Sequence, residues 1–318
     1  QMSSLHEEDL GGATDGVLQI KSLYSLISTG TERLVASGHV PPSAFEAMAV
    51  PYMDGSFLFP VKYGYSLVGE VITEGEYFGK VVHLLHPHQD TCTVKSDAVA
   101  LVPGAVPAKR ATLASNLETA LNATWDAGLG IGDKVLVAGF GMIGALLARV
   151  ISFMPAVDLI VLEKDPKRMA LGRKMGFNVV DKVAGHDYDI AFNTTSNEIA
   201  LQQCIDAVGV EGRIVELSWY GTKKVTVNLG GDFHYKRKQL ISSQVSRIPA
   251  DHLVRWDYMR RKEVVFKLLQ SELFDEHITD EMAFEDAPDF FNTLRKGNFE
   301  GLGCCLKYLQ SVISPNQL

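Results

Sequence analysis

The sequence predicts an α/β fold in which a small β-barrel domain accompanies a doubly wound parallel sheet. Up to about residue 115, short β-rich runs alternate with turns marked by prolines, a pattern typical of a small barrel. From about Leu117 the pattern changes to alternating strands and helices, which is typical of a parallel sheet with helices on both faces. A tail from Val264 adds two helical patterns and a late strand at 303–308.

The predicted strands follow the chain in two groups. In the β-rich part they lie at 17–20, 69–73, 80–85 and 98–102. In the parallel sheet they lie at 135–138, 159–162, 179–180, 190–193 and 214–218, with 238–245 as the last strand. Two basic clusters, at 236–238 and 260–262, are interpreted as solvated helix faces.

The most informative pattern is an apolar strand that runs into three glycines spaced G-x-G-x-x-G and then into a helix. Gly139 permits the tight turn, Gly141 lets the backbone approach a pyrophosphate, and Gly144 lets the helix pack closely on the strand. The start of the helix offers backbone N–H groups to phosphates. The segment therefore predicts a dinucleotide site formed by Gly139, Gly141, Met142, Ile143 and Gly144.

A second signal is Glu163, at the end of the next strand. An acidic residue about 20 positions beyond the glycines is where a dinucleotide site binds the adenosine ribose hydroxyls. Because a carboxylate repels a 2′-phosphate, Glu163 favours NAD over NADP. Lys164, Lys167 and Arg168 keep NADP possible. Alternatively, Glu163 is an ordinary solvated residue at a strand end.

Bulk properties exclude several classes of protein. The chain has 318 residues, 46% of them hydrophobic, and a net charge of −8, and its isoelectric point near 5.6 argues against a nucleic-acid partner. No apolar run approaches the roughly 20 residues that span a bilayer, and no secretory signal is visible. We therefore expect a cytoplasmic protein with no membrane partner. The four cysteines show no C-x-x-C pair, which argues against a disulfide framework.

The chain resembles the medium-chain dehydrogenase/reductase superfamily in segments 79–82, 102–103, 119–121, 132–135 and 284–287. Segments 27–32, 63–65 and 86–89 look closest to bacteriochlorophyllide hydroxyethyl dehydrogenase-type members. The resemblance implies a GroES-like catalytic domain at 1–117 and 262–318 and a Rossmann domain at 118–261. It also implies that Asn193, Thr194, Ser218 and Trp219 contact the cofactor.

The chain departs from the zinc-dependent members of that superfamily. The positions of their two cysteines and one histidine correspond to Thr29, Ser115 and Tyr65. Neutral hydroxyls are poor zinc ligands beside thiolate and imidazole. The four-cysteine lobe for structural zinc should follow His88, where the chain continues without it. We therefore expect no zinc at either site.

Without zinc the oxygen of the substrate needs another source of charge stabilisation. Zinc lowers the pKa of bound water from 15.7 to about 7, which corresponds to roughly 12 kcal/mol, whereas one hydrogen-bond donor contributes ~3–4 kcal/mol. Either a side chain transfers the proton to a carbonyl substrate, or an enone or quinone spreads its own charge. The candidate catalytic residues are Tyr65, Thr31, His86 and His88, with Glu32 or Glu118 to orient a donor.

The sequence therefore predicts a zinc-independent NAD(P)-dependent oxidoreductase acting on a small carbonyl, alcohol or activated alkene. One alternative is a zinc enzyme with ligands drawn from His83, His86, His88 and nearby carboxylates. Another is a non-catalytic dinucleotide-binding or sensing protein. Because residues 238–245 form an apolar edge strand, and family members commonly pair that edge, we expect a homodimer.

Overall fold

The computed structural model describes residues 2–10 and 16–309, which form two compact units. The first unit comprises the described residues within 1–114, 280–299 and 303–318, and the second comprises 115–279 and 300–302. The sequence had assigned 262–318 to the first domain. Residues 262–279 belong to the second unit instead, because the 3-10 helix Glu272–His277 packs on the helix Met142–Ser152. That helix begins in the glycine loop, which is the segment 139–144.

The elements are numbered along the chain. The strands are β1 Val17–Ile27, β2 Asp54–Gly55, β3 Val61–Lys62, β4 Leu67–Val71, β5 Val81–Leu84, β6 Thr91–Lys95, β7 Val99–Leu101, β8 Lys134–Ala138, β9 Asp158–Leu162, β10 Val179–Val180, β11 Tyr188–Asn193, β12 Val208–Glu216, β13 Gln239–Ser242, β14 Asp280–Ala283 and β15 Cys304–Lys307. The helices are α1 Thr29–Ala36, α2 Ala108–Ala111, α3 Ala114–Asp126, α4 Met142–Ser152, α5 Pro166–Lys174, α6 Glu198–Ala207, α7 Asp232–Tyr235, α8 Tyr258–Leu268 and α9 Ala287–Arg295.

The first unit is organised around β1, which is long enough to pair with three strands. It lies antiparallel to β6 in its first half, to β4 in its middle and to β15 in its last residues. The sheet order is β14-β15-β1-β4-β5-β7, with β6 paired to β1. A Cβ at Gly69 would lie 2.5 Å from Ile20 Cγ2 and 2.6 Å from the Lys21 carbonyl oxygen. Glycine is therefore required at this position, where β4 pairs with β1 opposite Ser22.

The four strands predicted in the β-rich part are present, β1 continues to Ile27, and the late strand predicted at 303–308 is β15. Sequence reasoning missed β2, β3, β6 and β14, although the side chains of β6 alternate between partly buried and buried positions before the exposed Lys95. Such alternation is the normal signal of a strand with one buried face. The core under the sheet contains Ile20, Leu67, Val82 and Leu84.

The second unit is a six-stranded parallel sheet of order β10-β9-β8-β11-β12-β13. Strand β8 is buried along four of its five residues, as expected when helices cover both faces of a parallel sheet. Because the strands are parallel, their carboxyl ends share one edge. The residues that follow at this edge include Gly139, Glu163, Thr194 and Ser218. The predicted α/β fold class is thus confirmed.

Local sequence signals explain where the helices of this unit begin. Asp165 precedes Pro166, the first residue of α5, and its carboxylate accepts hydrogen bonds from the N–H groups of Lys167 and Arg168. Asn197 caps α6 in the same way. Such caps satisfy N–H groups that have no acceptor within the helix.

The interpretation of the two basic clusters as solvated faces is wrong for Lys238 in the first and for Arg261 and Lys262 in the second, where the Lys262 side chain is 13% exposed and pairs with Glu118. Lys238 is buried, and its Nζ donates to the Ile205 carbonyl oxygen at 2.7 Å and to Asp232 at 2.9 Å. Arg261 is also buried, and it donates to Glu118 at 3.2 Å and to the Asn122 side chain at 2.8 Å. Hydrogen bonds to these partners offset the cost of burying Lys238 and Arg261. No local sequence pattern indicates that either cation is buried.

Candidate functional site

Two of the three loop glycines are required by the packing of the second unit itself. Gly139 has a φ of +97°, and a Cβ there would lie 2.7 Å from Thr194 Oγ1. A Cβ at Gly144 would lie 2.0 Å from the Gly139 carbonyl oxygen. The loop between β8 and α4 therefore closes on itself only when both positions are glycine.

Gly141 is different, because the protein around it leaves room. It lies just before the first residue of α4 with a φ of −84°, and the nearest atom to a Cβ there would be Arg168 Nη1 at 3.8 Å. The next N–H groups, of Met142, Ile143 and Gly144, belong to the first turn of α4, where a helix supplies no acceptor. This geometry leaves room for a phosphate group, and the dinucleotide site stays a prediction.

Thr194 holds the loop from below. Its hydroxyl donates to the Ala138 carbonyl oxygen at 2.9 Å and lies 3.3 Å from that of Gly139. The side chain predicted to contact the cofactor thus contacts the backbone of the glycine loop in this structure.

Glu163 braces the same loop. Its Oε2 accepts a hydrogen bond from the Phe140 N–H at 2.8 Å, and its Oε1 accepts from the N–H groups of Lys164 and Asp165 at 2.7 and 2.9 Å. A carboxylate oxygen accepts about two hydrogen bonds, so Oε2 keeps capacity for a ribose hydroxyl. Of the neighbouring cations, Lys167 pairs with Glu300, whereas Arg168 lies beside Gly141.

Asn193, Ser218 and Trp219 belong to a polar cluster at the ends of β11 and β12. The Asn193 amide donates to Glu216 Oε2 at 2.7 Å and to Tyr220 Oη at 3.0 Å, while its oxygen accepts from the Thr195 hydroxyl at 2.7 Å. The Ser218 N–H donates to Glu216 Oε1 at 2.7 Å, and the Trp219 carbonyl oxygen lies 3.5 Å from Ser196 Oγ. The Asn193 side chain is therefore engaged by the protein.

Sequence reasoning missed Glu216 and Tyr220, which hold this cluster together. Burial and the Glu216 charge raise the pKa of Tyr220, so its hydroxyl remains a donor at neutral pH. In the sequence Glu216 lies inside the strand predicted at 214–218, so no local signal placed it at the end of β12.

In the first unit, Tyr65 and Thr31 are brought together as candidate proton-transfer groups. The Tyr65 hydroxyl is hydrogen bonded to the hydroxyls of Thr31 and Ser28. Burial, followed by the charge of Glu32, raises the pKa of Tyr65 to about 12. The phenol is therefore protonated at neutral pH.

His88 lies in a buried polar network behind these hydroxyls. Its Nε2 is 2.8 Å from Glu32 Oε2, and its Nδ1 is 2.7 Å from Ser25 Oγ, which in turn is 2.8 Å from Tyr308 Oη. The other carboxylate oxygen, Glu32 Oε1, accepts a hydrogen bond from the Ser28 N–H at 2.7 Å.

The other two histidines of the alternative zinc site have separate surroundings. His86 Nδ1 lies 2.9 Å from the Pro87 carbonyl oxygen, and its ring lies 5.1 Å from that of Tyr52. Burial lowers the pKa of His86 to about 4, so it is neutral at pH 7. His83 Nε2 lies 3.3 Å from Ser66 Oγ. Within 2–10 and 16–309, no three His, Cys, Asp or Glu residues are grouped as a metal would require.

The residues that the resemblance aligns with zinc ligands do not fit zinc in their donor chemistry. Thr29 is the first residue of α1, and Ser115 is a buried residue of α3. The Tyr65 hydroxyl is hydrogen bonded to Ser28 and Thr31. All three present neutral hydroxyls, which bind zinc poorly compared with thiolate or imidazole.

No family model matches the chain, but curated proteins resemble part of it. L-idonate 5-dehydrogenase (NAD(P)(+)) of Escherichia coli strain K12 is 22% identical over 164 residues, and (R,R)-butanediol dehydrogenase of Bacillus subtilis strain 168 is 25% identical over 138 residues. The alignments cover 47% and 40% of this chain and the same shares of the two relatives. The matched part therefore spans less than half of each relative.

Solved structures match nearly the whole chain. The 2R,3R-butanediol dehydrogenase of Bacillus subtilis superposes with a TM-score of 0.74 at 19% identity, over 95% of each chain. A putative zinc-binding dehydrogenase of Clostridium scindens gives 0.77 at 16% identity, over 96% of this chain and 93% of that one. The chain has the medium-chain dehydrogenase fold. The acetophenone reductase of Geotrichum candidum in complex with NAD also matches, with a TM-score of 0.73 at 16% identity, over 94% of this chain and 91% of that one.

Among the described residues, no helix is both long and apolar enough to span a bilayer.

Proposed function

We propose that this medium-chain dehydrogenase-fold protein is an NAD(P)-dependent, zinc-independent oxidoreductase acting on a small carbonyl, alcohol or activated alkene. The glycine loop supports the cofactor part, because Gly141 leaves space where a phosphate would approach. The partial relatives named above are dehydrogenases of hydroxyl compounds, which supports the reaction class. The donor chemistry at Thr29, Tyr65 and Ser115 supports independence from zinc.

The observation that carries the proposal is the Tyr65 hydroxyl held between Thr31 and Ser28. A bound nicotinamide would supply or accept the hydride. In reduction, Tyr65 donates its proton to the substrate oxygen, and the hydroxyls of Thr31 and Ser28 then donate hydrogen bonds to the phenolate. Glu32 disfavours the phenolate, which keeps the proton on Tyr65 until the substrate oxygen becomes strongly basic.

A panel of hydride acceptors tests this proposal. We expect purified protein to oxidise NADH with at least one of 2,3-butanedione, acetophenone, 2-cyclohexenone or 1,4-naphthoquinone, followed by absorbance at 340 nm. A preference for the ketones would favour proton donation by Tyr65, and a preference for the enone or quinone would favour charge spread in the substrate. Cofactor binding without turnover of any panel compound would instead favour a non-catalytic binding protein.

We expect NADH to bind at least about tenfold more tightly than NADPH, or ~1.4 kcal/mol. The physical reason is that Glu163 Oε2 can accept a ribose hydroxyl but repels a 2′-phosphate. Fluorescence titration of both cofactors gives the two dissociation constants. As a control, Arg168→Ala should leave the preference in place. Equal or tighter binding of NADPH would contradict the ribose-binding role of Glu163. It would indicate that Lys164 or Arg168 binds the 2′-phosphate.

Metal removal should change neither activity nor stability. Because we propose that no zinc contributes to the folded state or to the reaction, incubation with EDTA should leave both turnover and melting temperature unchanged. Elemental analysis should find no stoichiometric zinc in protein purified without chelators. A zinc content near one per chain, or activity abolished by chelation, would support the zinc alternative.

We further propose a homodimer formed through β13. In the described part of the chain β13 pairs with β12 alone, and Leu240 on it is 44% exposed. Such an edge attracts a second strand. Light scattering at micromolar concentration should give twice the 34.8 kDa chain mass, and Leu240→Lys should weaken the dimer. A mass of one chain for the wild type would refute it.

A further inference from the structure

The first unit buries a carboxylate and an imidazole side by side. Glu32 is 2% exposed, and the His88 side chain is 7% exposed. Burying such groups is costly unless each polar atom has a partner. Here both ring nitrogens and both carboxylate oxygens do, in Ser25, the Ser28 N–H and each other. Two apolar side chains would fill the same space without the cost of desolvating a carboxylate and an imidazole. The network therefore suggests a functional role for Glu32 and His88.

Two routes connect His88 to Tyr65. The first is a chain of hydrogen bonds: His88 Nε2 to Glu32 Oε2, the Ser28 N–H to Glu32 Oε1, and the Ser28 side chain to Tyr65. The second route is a packing contact. Gly64 precedes Tyr65 in the chain and lies against the His88 ring. A Cβ at Gly64 would stand 3.0 Å from His88 Cδ2, at a φ of +136°. His88 therefore restrains both the hydroxyl and the backbone of Tyr65.

We infer that His88 is a positioning residue for Tyr65, which acts through Glu32 and Ser28 and through its packing on Gly64. This inference rests on the proposed role of Tyr65 in proton transfer. The sequence offered His88 as a catalytic residue that reaches the substrate. In the structure both of its nitrogens are engaged by Glu32 and Ser25, so its effect on the reaction passes through the geometry of Tyr65.

The kinetic test uses the panel compound with the fastest wild-type turnover. A displacement of about 1 Å can cost about 10²-fold in rate, so His88→Ala should lower kcat by roughly that factor and leave the Kd for NADH unchanged. His88→Gln should recover part of the loss, because its amide can still donate to Glu32. Gln89→Ala is the control in the same loop: the Gln89 side chain is half-buried and donates to Glu8, away from Glu32, and the variant should have wild-type kcat.

A double variant separates positioning from direct catalysis. If His88 acts through Tyr65, then His88→Ala combined with Tyr65→Phe should be no slower than Tyr65→Phe alone. A double variant that is much slower would overturn the inference and leave the role of Tyr65 intact. Full activity in Tyr65→Phe would instead remove the proton-transfer role of Tyr65, on which this inference rests, and would leave the zinc-independent oxidoreductase in place.

A readout independent of turnover completes the test. 3-Fluorotyrosine placed at position 65 should give one narrow ¹⁹F resonance in the parent and in Gln89→Ala. In His88→Ala the resonance should shift and broaden as the ring gains freedom, and in His88→Gln it should lie closer to the parent. If His88→Ala proves unable to fold, the comparison of His88→Gln with Gln89→Ala decides. A resonance unaffected by substitution of His88 would overturn the inference.

Discussion

Tyr65→Phe is expected to lower turnover of a carbonyl substrate by about 10²–10⁴-fold, the usual contribution of a general acid. The substitution removes one hydroxyl and keeps the ring, so the packing of the first unit and the Kd for NADH should remain unchanged. Tyr63→Phe is the matched control, since its ring lies 6.0 Å from that of Tyr65 and its hydroxyl has no part in the proposed step. Steady-state kinetics with the responsive ketone measures both variants.

A Tyr65→Phe variant with full activity would contradict proton donation by this residue. The hypothesis of a zinc-independent reaction would still hold. Either Thr31 would then donate the proton, or the substrate would delocalise the negative charge that develops on its oxygen. The pH dependence distinguishes the cases further. Because the pKa of Tyr65 lies near 12, the phenol stays protonated across the neutral range. The wild-type rate of ketone reduction should therefore show no fall between pH 7 and 9 from ionisation of this group.

The second large effect is expected in the glycine loop, where Gly144→Ala and Gly141→Ala should fail in different ways. A Cβ at Gly144 would lie 2.0 Å from the Gly139 carbonyl oxygen, so the loop must shift, and we expect a loss of roughly 3 kcal/mol of unfolding free energy. A Cβ at Gly141 meets only Arg168, at 3.8 Å. Gly141→Ala should keep its melting temperature and bind NADH about tenfold more weakly.

Thermal unfolding and NADH titration of both variants give the result. If Gly141→Ala binds NADH as the wild type does, the assignment of this loop to the pyrophosphate is wrong. If Gly144→Ala is as stable as the wild type, the loop has more freedom than the structure shows. The pair separates a glycine needed by the fold from one needed by the ligand.

Much of the second unit could be predicted from local sequence. The apolar run of β8, the glycines after it and the Asp-Pro start of α5 each act within a few residues, through backbone conformation and helix capping. The predicted strands of the sheet are all present, although β12 begins six residues before its predicted start at 214. Less could be predicted of the first unit, since β14 acquires its strand conformation by pairing with β15.

The candidate site divides in the same way. The glycines and Glu163 could be singled out from their spacing after the strands, and Thr31 and Tyr65 from the resemblance to the superfamily. Their partners could not, since Glu32 and His88 are 56 positions apart and Ser25 and Tyr308 are 283 apart. Nothing in the sequence near His86 and His88 indicates that burial lowers the pKa of His86, or that His88 contacts a carboxylate and a serine hydroxyl.

The sequence by itself determined the strand–helix alternation of the second unit and the glycine spacing that suits a phosphate, and the resemblance to the superfamily predicted hydroxyl side chains at three zinc-ligand positions. These follow from backbone preferences and side-chain chemistry, which act locally. Only the tertiary structure decided that Glu163 braces the loop, that Asn193 is engaged by Glu216, and that His88 lies behind Tyr65. Hydrogen bonds between distant segments depend on distances of about 3 Å, and only the folded chain sets those distances.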